Sequence, residues 1–312
     1  MWFNNALIYK YELDKTTDIE EALACESLKP CPPHARFIYG WVPTIAEQLT
    51  HSIAGATLIC LGKEERILPK AVINRVLEER LKDLETREQR QATRSERSHI
   101  AEELEFELLP KAFCVQKKMY ALLDSKNKQL IINSSSENQA AQLTALLRKS
   151  IPGIRIEPIE HADNLSSRFA QWITNPQQLP KNFALGSDCL LFSPDDEKKK
   201  FTCKGYELPA DEVLNLLEQG LAPSELSLTW NEHIQFTVTQ EGVIKRIKCL
   251  DYLIDEFNDL RQLDDDHEQQ DAEITLLSGE LRGLSNDLFN ALSVAKHNKE
   301  NSEQVVCEES IA

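Results

Sequence analysis

Residues 233–248, HIQFTVTQEGVIKRIK, set the fold class, because two alternating segments flank a turn marked by Gly242. Ile234, Phe236 and Val238 share one parity and Gln235, Thr237 and Thr239 the other, which is the pattern of a half-buried strand. Glu241-Gly242 supplies the residue most tolerant of positive φ, as a tight hairpin needs. The second arm carries Lys245, Arg246 and Lys248 among Val243, Ile244 and Ile247, so cations fall on both of its faces. Such a strand is either a solvated edge or a surface for polyanions. Taken alone, the edge is the ordinary reading, since lysines there guard against aggregation.

Working outward, residues 183–192 and 201–208 read as strands, 210–219 as a helix and 226–230 as a strand, a ββαβ order leading into the hairpin. The order occurs once before: a hairpin of 115–123 and 129–133 around residues 124–127, a helix at 137–150 and a strand at 154–159. The two copies share no sequence identity, so a repeat is only suggested. Further upstream, 2–13 read as a strand and 18–27 as a short helix capped by Thr17 or Asp18 and broken by Pro30, Pro32 and Pro33. Strands follow at 37–42 and 56–61, the second almost continuously apolar, as expected of burial on both faces.

From Pro69 a helix presents Ile73, Val76, Leu77, Leu81 and Leu84, then turns polar through Ser98. On a continued helix, Arg80, Arg87, Arg90, Arg94 and Arg97 form a stripe about 100° wide. Asp83 shares that stripe, and Glu85, Glu88 and Glu96 are spaced for helical ion pairs, so a basic face and a solvated salt-bridged helix both fit. Residues 100–109 make a second short helix closed by Pro110, giving a helical pair that projects from the rest. Helices at 251–263 and 272–292 precede a polar end from Lys296. The expectation is an α+β protein of mixed ββαβ-type units with a projecting helical pair, in four parts: 1–68, 69–114, 115–249 with the basic hairpin, and 250–312 with an acidic tail.

The 312 residues are 41% hydrophobic, enough for real cores, and no window approaches a membrane span of about 18 apolar residues. With no leader pattern at the start, a cytoplasmic location is expected. A net charge of −16 argues against nucleic acid at face value, but the local field decides polyanion binding, and the hairpin and the arginine stripe are locally basic. Eight cysteines are scattered without a CxxC pair, and Cys25, Cys31 and His34 lack both zinc-site spacing and a fourth ligand. Phosphate-cradling glycine loops and nucleophile elbows are absent. Asp264-Asp265-Asp266-His267 invites a divalent metal, but consecutive side chains diverge, so a solvated helix start is the simpler reading, as a charged turn is for residues 195–200. No catalytic residue, metal or cofactor is assigned.

WFNNALIY (2–9), GWVP (40–43), KEERILPKAVI (63–73), LLPKAF (108–113), ALLRKS (145–150), IQFTVTQEGVIKRIKC (234–249) and SGEL (278–281) together resemble the recombination-associated RdgC family, in its order and over nearly the whole chain. The resemblance implies a bacterial nucleoid protein, a ring-shaped homodimer that encloses double-stranded DNA without sequence preference and limits access of the RecA recombinase. It implies no enzymatic activity, and a basic interior with an acidic exterior. Residue by residue, the stripe containing Arg87, Arg90, Arg94 and Arg97, with Lys111, matches basic positions near the ring's opening, and Phe113 the aromatic that closes the subunits at that gate. Lys204 falls in the family's basic strand segment, although Gly205 and Tyr206 stand where the family can carry Lys and Gln. With Lys245, Arg246 and Lys248 these are the DNA-binding candidates. Few aromatics accompany them, so phosphate contact outweighs base stacking. The rival reading is an acidic dimeric scaffold that binds a protein partner through its projecting helices.

Overall fold

Two curled antiparallel sheets organise the computed structural model, which describes residues 2–14, 17–45, 47–159, 164–263 and 265–293. The first contains β1 (Leu7–Glu12), β2 (Phe37–Trp41), β3 (Thr50–Ile53), β4 (Ala56–Arg66), β5 (Cys114–Asp124), β6 (Gln129–Ile132) and β7 (Arg155–Pro158). Its order is β2-β4-β5-β6-β1-β7, with β3 paired to β4. The second runs β12-β11-β10-β8-β9 through β8 (Phe183–Ser193), β9 (Asp196–Cys203), β10 (Ala222–Trp230), β11 (Ile234–Thr239) and β12 (Ile244–Cys249).

The apolar run at the start of β4 is buried on both faces, as its composition predicts. Leu58 joins the larger core with Leu122 and Ile131, while Ile59 and Leu61 join a second with Leu143 and Leu147 of α4 (Glu137–Ser150) and Leu23 of α1 (Ile19–Ala24). The larger core also takes α5 (Leu165–Thr174), α6 (Asp211–Glu218), α7 (Asp251–Leu260) and α8 (Asp266–Ser293). α8 ties the sheets together. Arg282 donates to both oxygens of the buried Asp124 at 2.8 Å, and Ser285 Oγ to Gln129 on β6. From the second sheet's side, Trp230 Nε1 and Asn182 donate to Asp287.

The hairpin forms, with Ile234, Phe236 and Val238 buried and Gly242 turning the chain at φ 78°, but its first arm is not half-buried as expected, since Thr237 and Thr239 on the other face are buried too. The strand expected over 2–13 divides between the sheets. Residues 4–6 bond to the outer edge of β12, with Ala6 and Ile244 exchanging both hydrogen bonds at 2.8 and 3.0 Å, and only from Leu7 does the chain pair with β6. The two ββαβ orders differ in connection, since β7 docks beyond β1 whereas β10 docks directly on β8. They share element order, not topology. β3 and α5 are additions to the sequence reading. β3 follows from a two-residue turn in which Ala54 and Gly55 both take positive φ (53° and 82°), the hairpin-compatible twist without its usual Asn-Gly. Residues 196–200, expected in a turn, extend as the edge strand β9. The polar end from Lys296 lies outside the described residues.

Candidate nucleic-acid interface

α2 (Lys70–Glu88) and α3 (Arg94–Leu108) fold back on each other around a small core of Ile73, Leu77, Leu81 and Leu104. The single long helix that would carry the arginine stripe ends at Gln89, which is left-handed at φ 51°. α3 then starts afresh with a reciprocal cap: Thr93 Oγ1 accepts the Glu96 N–H, and the Glu96 carboxylate accepts the Thr93 N–H at 2.8 Å. The stripe is therefore not one helix face. Arg80 turns across the pair to Glu107 at 2.6 Å. Arg90 lies between Glu96 and Glu88, at 2.6 and 2.5 Å; its hydrogen bond holds the Glu96 carboxyl far below the usual range, and Arg90 itself is pushed up in turn. Arg87 ends α2, Arg94 and Arg97 begin α3, and all three are exposed and form no ion pair among the described residues. The far turn of the pair thus presents three uncommitted guanidiniums.

Lys111 and Phe113 stand elsewhere. Phe113 is expected at a gate beside the arginine stripe, but the pair leaves and re-enters the sheet where Arg66 pairs with Cys114, and Phe113 bonds through its carbonyl to the Ile67 N–H at 2.8 Å. It is at the foot, with most of α3, roughly 17 Å of helical rise from Arg97 to Leu108, between it and the arginines. Its ring is 87% exposed, which excludes packing in its own subunit's core. The foot is held by Arg66, whose guanidinium donates to the carbonyls of Cys31, Pro32, Leu109, Pro110 and Ala112.

Beside that foot, strand spacing gathers lysines absent from the sequence candidates. Lys63 and Lys117 are cross-strand partners, both bonded to Glu65 (3.1 and 3.0 Å), whose carboxyl they hold below its ordinary range. Lys63 Nζ also lies 4.7 Å from the centre of the Phe37 ring. With Lys118 and Tyr39 they line a groove of about 290 Å3. β6 joins β5 only from Ala121, so the outer edge of β5 before it has no partner strand within the described chain. The signal was VQKKM at residues 115–119, two adjacent lysines within one strand.

In the hairpin, Lys245 and Arg246 both contact Glu225, at 3.0 and 2.9 Å, while Lys248 is exposed and forms no ion pair among the described residues. The edge that carries them is not solvated, since residues 4–6 cover it. Lys204, also exposed, follows β9, where Lys198, Lys199 and Lys200 line an exposed sheet edge. The candidates therefore form three separate sets: tip arginines, foot and β5 lysines, and the cations of the second sheet.

Among the described residues no group of three or more His, Cys, Asp or Glu side chains is placed to hold a metal ion. Cys31 donates to the Ala35 carbonyl and His34 stacks on Phe106, so the zinc arrangement is not assembled. Asp264 lies outside the described residues, and Asp265 and Asp266 lead into α8 as a solvated helix start does. Among the described residues no helix is long and apolar enough to cross a membrane.

A family model described as "Putative exonuclease, RdgC" matches residues 1–295. The chain is 32% identical over 298 residues to the recombination-associated protein RdgC of Pseudoalteromonas translucida (strain TAC 125), covering 94% of this chain and 98% of that one. It is 29% identical, with the same coverage, to the proteins of that name from Yersinia pestis (strain Pestoides F) and Yersinia pseudotuberculosis serotype O:3 (strain YPIII). A match of this extent, to relatives spanned nearly end to end, places the chain in the RdgC family.

Proposed function

We propose that this chain binds double-stranded DNA without sequence preference, as a ring-shaped homodimer of the cytoplasmic nucleoid that encircles the duplex and limits RecA-dependent recombination. The observation that carries the reading is the cluster of uncommitted arginines, Arg87, Arg94 and Arg97, held at one turn of an otherwise acidic protein. Guanidiniums that spend no charge on carboxylates can replace condensed counterions on any phosphate backbone, so indifference to sequence follows from the chemistry. The exposed Phe113 and the unpaired β5 edge support a self-complementary contact between two copies. Restraint of RecA is then competition for the DNA lattice and requires no catalytic group.

A gel-shift titration on duplex DNA across a salt series, with and without magnesium, tests this. Affinity should fall steeply with salt, and Arg87→Glu/Arg94→Glu/Arg97→Glu should lower it by about tenfold or more on every sequence alike. Salt-independent affinity would rule out the phosphate mechanism. Negligible binding at low salt favours the acidic scaffold, and magnesium-dependent strand loss favours nuclease chemistry.

A further inference from the structure

The concave surface between α7 and the first turns of α8 is unrelated to the cationic sets. It is an open groove of about 700 Å3. Its apolar lining includes Ile53, Leu260 and Leu276, each only partly buried. Around these stand Glu256 and Asp259 of α7 and Glu268 and Asp271 of α8, and among the described residues the lining holds no Lys or Arg. Asp271 Oδ1 is 2.7 Å from His51 Nε2, and Glu256 accepts from the neutral Tyr252 hydroxyl. Asp259 and Glu268 are exposed and form no ion pair among the described residues. Elsewhere carboxylates are commonly matched by cations, as Glu96 is by Arg90 and Glu225 by Lys245.

We propose that this groove receives an amphipathic, cationic helix of a partner protein, with apolar side chains at i, i+3/i+4 spacing on its floor and lysines or arginines against the four carboxylates. The spacing of the walls supports a helix, since Glu256, Asp259 and Leu260 fall at i, i+3 and i+4 of α7, and Glu268, Asp271, Ala272 and Thr275 repeat that interval on α8. Duplex DNA is repelled by the same four charges, so the occupant differs in kind from the one proposed for the tip.

The test uses the full chain and a fluorescent 14-residue helix of leucine and lysine at helical spacing, with a permuted peptide of identical composition in which the two alternate. At roughly 0.1 M salt, where exposed charges more than about 10 Å apart are screened, the helical peptide should bind about tenfold tighter than the permuted one. Asp259→Lys/Glu268→Lys should abolish that difference, while the charge-matched Asp211→Lys/Glu212→Lys on α6 should keep it. Hydrogen exchange on the unmodified protein should show peptide-induced protection in α7 and the first turns of α8. Equal binding of the two peptides, an unaltered preference in the groove variant, or protection confined to other elements would overturn the proposal.

Discussion

Phe113 leaves a phenyl ring in solvent where the chain re-enters the sheet, so it contributes little to the monomer. Replacing it with serine should change unfolding free energy by less than about 0.5 kcal/mol. If the ring closes a contact with a second copy, Phe113→Ser should leave melting unchanged while weakening dimerisation and retention of DNA, as read by sedimentation and gel shift on one preparation. Glu20 has the opposite character. Burial pushes its carboxyl up, but donors from Thr50 Oγ1 and the Leu49 and Thr50 amides outweigh this and hold it below 4.5. A depressed carboxyl stabilises the fold above its unfolded value, and that contribution is lost as pH falls through the folded value. Thermal stability should therefore decline as pH drops below 4.5, and Glu20→Gln should flatten part of that decline in a pH series of melting curves. Neither Glu20 nor Arg66 was legible as a tie in the sequence, because their partners come from segments that only tertiary structure assembles. Phe113 was legible only through the family resemblance.

At the level of elements, the helical pair shows where periodicity misleads. Polar residues past Glu85 sustain a helical phase on paper, and arginine spacing alone made one stripe of them. The stop was written locally, as Thr93-x-x-Glu96, a capping box that competes with continuation because it satisfies the amides at a new helix start. Thr93→Ala should destabilise that start by about 1 kcal/mol. Hydrogen exchange of the first α3 amides should then accelerate about fivefold, with the two sheets unaffected. The hairpin's first arm and α4 were legible from the period of their apolar residues, and the start of β4 from its unbroken apolar run. The first part of β9, residues 196–200, was not, since edge position lets a strand carry charge on both faces, as Lys198 to Lys200 do, and hides the alternation; only its end, from Phe201, was read as strand.

Across the whole molecule, α8 joins the two sheets through Asp124 on one side and Trp230 on the other. Gly283 allows this, since a Cβ there would come within 2.8 Å of the Trp230 ring. Asp124→Ala should lower stability by about 3 kcal/mol by stranding the partly buried Arg282 guanidinium, whereas Asp124→Leu with Arg282→Met should recover most of it. Urea denaturation of the three proteins measures both. A bundle of element types was readable from the sequence, but this partnership was not, because Asp124 looked like a turn residue and Arg282 like one charge on a long amphipathic helix.

The bonding of residues 4–6 to β12 also sets a timetable for synthesis. About 240 residues separate Ala6 from its partner Ile244, an interval of roughly 12–48 s at 5–20 residues per second on the ribosome. Until β12 emerges, residues 4–6 have no strand of the second sheet to receive them. The second sheet is therefore finished by a segment made long before its strands, and during that wait the segment is free to engage the emerging edge of a neighbouring copy on the same message.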